Sequence, residues 1–231
     1  MLIRSFPAGA FATNCYAVAS GPRAECVVVD PGMDAVASLG RMLAEDGLKP
    51  VAVVLTHGHL DHTWSVLPVC DGYDIPAYLH PQDFGMLSDP ARWHGPAFAP
   101  LIGALQLPDP SEVRPLDDGA VLDLAGVRLS VRHAPGHTEG SVVFEFDLDD
   151  SPGLLAGDLL FAGSIGRVDL PGGSWEAMLA SLRDVVLPLD DATVVLPGHG
   201  PATTIGRERA TNPYLAEAAA GAGDAPSGRG L

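Results

Sequence analysis

The stretch VVLTHGHLDHTW, residues 53–64, begins as an apolar, β-branched run and then sets His57, His59, Asp61 and His62 within six positions. Its first half belongs to VAVVLT (51–56), a short apolar run of buried-strand type. If the chain leaves that strand extended, His57 and His59 point to one side, because strand side chains alternate. Asp61 and His62 follow where the backbone can turn into a helix, and such a turn swings them toward the same space from another direction. Imidazole nitrogens and carboxylates are ligands for a divalent transition metal, and the lack of a nearby cysteine argues against a structural thiolate site. The plain alternative, a solvated loop that is histidine-rich by chance, fits poorly with four potential ligands in six positions at a strand end.

Upstream, ECVVVD (25–30) is a second apolar run, closed by the turn residues Pro31 and Gly32. In MDAVASLGRMLAEDG (33–47), Val36, Leu39 and Leu43 recur at helical spacing, and Gly47 stands where a C-terminal cap is expected. Strand, helix, strand in this order predicts a βαβ unit with a parallel pair and a right-handed crossover. Downstream the rhythm changes. AVLDLAG, VRLSVRHA and SVVFEFDLD, between residues 120 and 149, alternate apolar and polar side chains, which predicts an antiparallel meander with one wet face. GLLAGD (153–158), a helix at SWEAMLASLRDVV (174–186) carrying Met178, Leu179, Leu182 and Val186, and the strand ATVVLP (192–197) complete the pattern. Helices and strands mixed in both halves point to an α/β fold of stacked sheets with helices outside.

The chain has 231 residues, 47% of them hydrophobic, enough to bury one large core, so a single domain over 1–219 is expected. GAGDAPSGRGL, at the C-terminus, reads as a disordered tail over 220–231. DPARWHGPAFAPLIGALQLPDP (89–110), with five prolines among apolar residues, reads either as a loop over a site or as irregular covering of the core. No apolar run reaches the ~18 residues needed to span a bilayer, and MLIRSFPAGAFATNCYAV lacks the continuous apolar stretch of a signal peptide. Cys15, Cys26 and Cys70 suggest neither a disulfide framework nor a metal knuckle, so a cytoplasmic location is expected. A net charge of −16 repels polyanions and makes nucleic acid an unfavourable partner, although surface carboxylates also serve plain solubility.

Three further candidate ligands stand at strand ends: His137 in APGHTEG, Asp158 closing GLLAGD, and His199 in LPGHG. Each alone is weak. Together they lie at loops on one edge of the predicted sandwich, where function concentrates, and the glycines beside them let backbone pass close to a metal. His57, His59, Asp61, His62, His137, Asp158 and His199 are too many for one tetrahedral ion. Two ions roughly 3.5–4 Å apart, bridged by a carboxylate and a water-derived hydroxide, can use all seven, so the count points to a dinuclear hydrolytic centre.

T-H-G-H-L-D-H (56–62), P-G-H-T (135–138), G-D (157–158) and P-G-H-G (197–200), in this order, resemble the signature of the metallo-β-lactamase superfamily. With GSIGRVDLPGG (163–173) and TTIGRERATNPYL (203–215) the chain is most similar to the glyoxalase II-like branch, the hydroxyacylglutathione hydrolases. The resemblance implies a four-layer αββα sandwich. It implies that His57, His59 and His137 hold one metal, Asp61, His62 and His199 the other, and that Asp158 bridges. It implies two divalent ions, zinc first, with iron or manganese used by other branches, and cleavage of a small S-(2-hydroxyacyl)thiol ester. In that chemistry one metal polarises the carbonyl while hydroxide attacks, its parent water brought toward a pKa of ~7. Asp61 and Asp158 are then catalytic as well as ligating.

Outside this set, Asp30 and Thr56 are candidates to orient a ligand histidine, with an Asp-Pro turn as the alternative for Asp30. Arg167 is a candidate to meet a substrate carboxylate, with a surface salt bridge as the alternative. Tyr16, Trp64 and Trp175 read as packing groups, and His80, His94 and His133 are unassigned. The chain departs from the glutathione-using pattern. Asp169 stands where an aromatic residue is usual, and the roughly two dozen residues after TTIGRER read largely as tail, so a thiol other than glutathione is expected. Two alternatives stay open: a mononuclear iron persulfide dioxygenase, similar in the G-R-x-D segment, and a binding module in which metals only stiffen loops.

Overall fold

In the computed structural model, which describes residues 1–94 and 112–221, the strands form two six-stranded sheets in which spatial order follows chain order. The first holds β1 (Leu2–Ala8), β2 (Thr13–Ala19), β3 (Glu25–Val29), β4 (Lys49–Val54), β5 (Ala77–Leu79) and β6 (Val113–Pro115). The second holds β7 (Val121–Leu124), β8 (Val127–His133), β9 (Val142–Asp147), β10 (Pro152–Gly157), β11 (Val194–Pro197) and β12 (Thr203–Thr204). The helices are α1 (Ala35–Asp46), α2 (Leu60–Thr63), α3 (Val66–Tyr73), α4 (Phe84–Ser88), α5 (Pro90–Trp93), α6 (Trp175–Ser181, continued by a π turn over Leu182–Val186), α7 (Ile205–Thr211) and α8 (Pro213–Ala220).

The predicted βαβ unit is β3, α1 and β4, with β3 and β4 parallel. Gly47 ends α1 in the left-handed conformation, φ 66°, and its N–H returns to the carbonyls of Leu43 and Ala44. The buried face of α1 is Ala35, Leu39 and Leu43. Val36 is 47% exposed, contrary to its assignment to that face, because it lies one residue round the helix from Ala35.

Strand parity builds the layers. Val18, Val27, Val29 and Val54 meet Leu129, Val131, Phe144 and Leu155 between the sheets in one buried cluster. Their neighbours Ala17, Val28 and Val53 point outward onto Leu39 and Leu43 of α1 and Val69 of α3. On the opposite side Val143, Leu154 and Val195 meet Met178, Leu182, Val186 and Leu215. Both faces of these strands are therefore covered, which is why CVVV and VAVV are continuous apolar runs. The result is the α/β, four-layer αββα sandwich.

β7, β8 and β9 form the expected antiparallel meander. Its wet face is real on β8, where Arg128 is exposed. It closes on β9, where Val143 is fully buried under the helical layer. Residues 95–110 of the proline-rich stretch, and 222–231 of the expected tail, lie outside the described residues. Among the described residues, no helix is long and apolar enough to cross a membrane.

Candidate metal centre

The ends of β4, β10 and β11 and the loop from β8 to β9 meet at one edge of the sandwich, and each carries part of the histidine and aspartate cluster. After β4 the chain runs extended through His59, φ −62° and ψ 143°, before α2 begins. The N–H groups of His62 and Thr63 both close on the His59 carbonyl, and this turn carries Asp61 and His62 back over the strand end. A register shift in β10 then lets Gly157 enter the left-handed region at φ 48°, against Thr56. A Cβ there would lie 2.6 Å from the threonine side chain, so a glycine is needed for Asp158 to reach the cluster.

The structure brings all seven candidate residues together in two groups. Donor atoms of His57, His59 and His137 lie within 4.8 Å of one another, as do those of Asp61, His62 and His199. Asp158 stands between them, with Oδ1 3.3 Å from His62 Nε2 and Oδ2 3.5 Å from His137 Nε2. It also groups with His57 and His62.

The tautomers follow from the outer partners, each of which fixes where one ring proton must be. His137 Nδ1 donates to the Arg167 carbonyl at 2.7 Å, His199 Nδ1 to the Phe11 carbonyl at 3.2 Å, and His62 Nδ1 to Asp30 Oδ2 at 3.0 Å. The Thr56 hydroxyl donates to Asp30 Oδ2 at 2.7 Å, so at 3.1 Å it accepts from His57 Nδ1. In its neutral form each ring so held aims a bare Nε2 lone pair inward. Those of His57 and His137 are 3.2 Å apart, and those of His62 and His199 are 3.3 Å apart. His59 presents Nδ1 to His137 Nε2 at 2.8 Å. Lone pairs converging on lone pairs and carboxylate oxygens repel unless a cation or proton lies among them. Asp158 Oδ1, buried without a hydrogen-bond partner, is one more donor atom aimed at the same space. Five imidazoles and two carboxylates without a thiolate suit a divalent transition ion.

The cluster holds protons unevenly. Burial first, then the neighbouring rings of His62, His137 and His59, keep His57 well below the ordinary histidine value. Burial and His137 do the same to His59. For His62, burial is outweighed by Asp158, Asp61 and Asp30, and its pKa rises well above the usual value. Asp61 is pulled down against burial by His62 and His199, and Asp158 chiefly by His62, so both are carboxylates at neutral pH. His62 therefore gains a second proton readily beside Asp158, Asp61 and Asp30, and metal binding would displace that proton.

Above the cluster opens a cavity of about 500 Å³ walled by Phe11, Leu60, Phe161 and Leu170, with the seven-residue cluster partly in its floor. Arg167 stands on its wall, its guanidinium held bidentately by Asp169 at 2.6 and 2.7 Å. Tyr16 and Trp175 are packing groups, the former also donating to the Pro197 carbonyl at 2.7 Å. Of the unassigned histidines, His80 stacks on His133, while His94 lines the cavity and accepts the Leu60 N–H at 2.9 Å. TTIGRERATNPYL finds its use through Glu208, which accepts from Thr203 Oγ1, Gly163 N–H and Asn212 Nδ2. These bonds tie the Phe161–Ser164 wall to α7. The carbonyls of Phe11 and Arg167 left no signal in the sequence, because any residue type supplies one.

An uncharacterized protein of Mycobacterium tuberculosis is 48% identical over 219 residues, covering 93% of this chain and 98% of its own length. The hydroxyacylglutathione hydrolase GloC of Haemophilus influenzae is 33% identical, covering 93% and 98%. Among solved structures, the BLEG-1 B3 metallo-beta-lactamase superposes with a TM-score of 0.82 at 37% identity, covering 93% of this chain and 99% of that one. The protein TTHA1623, crystallised in a di-iron-bound form, superposes at 0.75 with 38% identity, covering 91% and 99%. A family model described as the metallo-beta-lactamase superfamily matches residues 8–199. That match runs from the end of β1 to the last histidine of the cluster, and the chain is accordingly a member of the metallo-beta-lactamase superfamily.

Proposed function

We propose that this protein is a dinuclear metal-dependent hydrolase that cleaves thioesters of the S-(2-hydroxyacyl)thiol type. The observation that carries the reading is the pair of ligand groups sharing Asp158 beneath a largely apolar cavity. Similarity to a hydroxyacylglutathione hydrolase supports the thioester class. His57, His59 and His137 would hold one ion, Asp61, His62 and His199 the other, and Asp158 would serve both. Two bound divalent ions supply Lewis acidity and a water acidified to near neutral pH. Zinc is the first choice, and the likeness to a di-iron protein supports iron as the rival.

The rest is done by the chain. Thr56, Asp30 and the carbonyls of Arg167 and Phe11 hold four imidazoles in the tautomer that offers Nε2. Thr13 Oγ1, 3.2 Å from Asp61 Oδ2, donates to that carboxylate and steadies it. Phe11, Leu60, Phe161 and Leu170 keep bulk water from the acyl group, which strengthens every electrostatic contact inside. Asp61 and Asp158, ionised and next to the reacting space, would accept hydrogen bonds from the attacking water and orient it. Because Asp169 occupies Arg167, the pocket wall offers little free positive charge among the described residues, which favours an uncharged thiol over glutathione. We place the reaction in the cytoplasm, without nucleic acid or membrane partners.

The test is metal content of the purified chain together with turnover of S-lactoyl esters of N-acetylcysteamine and of glutathione. Two ions per chain with hydrolysis, faster on the neutral thiol, is expected. Absence of thioester turnover with two ions bound would refute the reading. One iron with oxygen uptake on a persulfide would replace it by the dioxygenase. Likeness to BLEG-1 favours β-lactam opening as a second reading of the same site, and a chromogenic cephalosporin in the same assay decides it.

A further inference from the structure

Asp83 is fully buried and lies outside the seven-residue cluster, yet it touches both loops that deliver the three-histidine group. Its Oδ2 accepts the Gly58 N–H at 2.9 Å and the Thr138 hydroxyl at 2.7 Å, and its Oδ1 accepts the Gly140 N–H at 2.7 Å. Gly58 separates His57 from His59, and Thr138 follows His137 directly. One carboxylate therefore spans the end of β4 and the loop between β8 and β9. The fit leaves no slack. A Cβ on Gly58 would come within 3.0 Å of Asp83 Cβ, and one on Gly140 within 2.6 Å of its Cγ. The second group has its own carboxylate: Asp30 reaches His62 Nδ1 at 3.0 Å.

Hydrogen bonds to an ionised acceptor are shorter and stronger than neutral ones, so a carboxylate with three donors from two loops sets the spacing of those loops. Remove it, and two N–H groups and a hydroxyl lose their acceptor in a buried place, which the loops relieve by separating. His57 and His59 ride on one of these loops and His137 on the other.

We propose that Asp83 is a positioning residue for one metal subsite alone, tying the two loops so that His57, His59 and His137 converge, while the Asp61, His62 and His199 subsite is independent of it. This rests on reading the cluster as two metal subsites. The test titrates the metal-depleted full chain with zinc and follows the ring-nitrogen NMR signals of ¹⁵N-labelled histidine, assigned with single histidine-to-alanine variants. In Asp83→Asn the amide must turn an NH₂ toward a donor on one side. Zinc affinity read at His57, His59 and His137 is expected to fall by about tenfold or more, with the His62 and His199 signals titrating as in the wild type. Thr138→Val removes one of the three donors and keeps the shape. It is expected to shift the same signals in the same direction by less, and it carries the test if Asp83→Asn does not fold. Equal weakening of both groups, or of neither, overturns the proposal. Wild-type histidine signals that ignore zinc overturn the reading of the cluster and this inference with it.

Discussion

Asp30→Asn changes one side-chain atom at the hub of the second ligand group. Asp30 Oδ1 accepts the Thr56 N–H at 2.9 Å, while Oδ2 accepts the Thr56 hydroxyl at 2.7 Å and His62 Nδ1 at 3.0 Å. An asparagine can keep its oxygen on the Thr56 N–H, but then sets an NH₂ where two donors pointed. Thr56 can rotate its proton away. His62 cannot, and its relief is to carry the ring proton on Nε2, toward Asp158 Oδ1 at 3.3 Å. That consumes the lone pair a metal needs. Restoring the original tautomer sets donor against donor in a buried site, at about 1–3 kcal/mol, equivalent to roughly a 5- to 150-fold loss of affinity. Fold stability falls by a similar ~1.5–3 kcal/mol for the charge-assisted bonds, out of the ~5–15 kcal/mol typical of a domain, so the variant is expected to fold. Zinc content after dialysis against graded zinc buffers should show one ion lost about 10- to 100-fold more easily and the other, whose His57 is oriented by Asp30 only through Thr56, weakened less, with urea unfolding as the control for stability. A variant that keeps both ions at wild-type affinity would show that Asp30 does not set the His62 tautomer.

Gly198→Ala is expected to remove metal binding, since a Cβ there would overlap Asp158 Oδ1 and lie 2.7 Å from His62 Cε1; wild-type zinc content in this variant would contradict the geometry of the centre. In the metal-depleted chain, stability should fall as pH drops below about 6.5. His57 and His59, held down chiefly by burial, refuse protons that the unfolded chain accepts there, whereas the raised His62 contributes fully below 6.5 and fades only at higher pH. Urea midpoints that stay level or rise between about pH 6.5 and pH 5 would contradict this. Phe144→Ala, at a fully buried position between the sheets, should cost about 3–5 kcal/mol in urea unfolding, and less than about 1 kcal/mol would mean that the layers repack around it.

What the sequence by itself determined was everything carried by local pattern. CVVV and VAVV declare buried strands, Leu39, Leu43 and Gly47 declare a helix and its end, and THGHLDH declares a ligand cluster because its spacing alternates and then turns. Val36 was misplaced because helical spacing names a stripe only to within a residue, and packing chooses its centre. The meander's second covered face escaped because Val143 is buried by a helix more than thirty residues later in the chain. Only the tertiary structure could decide that Asp30 serves His62, that the carbonyls of Phe11 and Arg167 set two tautomers, and that Asp83 joins two ligand loops. Periodicity records which face of an element is apolar. It does not record which distant backbone group a buried polar atom meets, and a carbonyl oxygen is the same whatever side chain its residue carries.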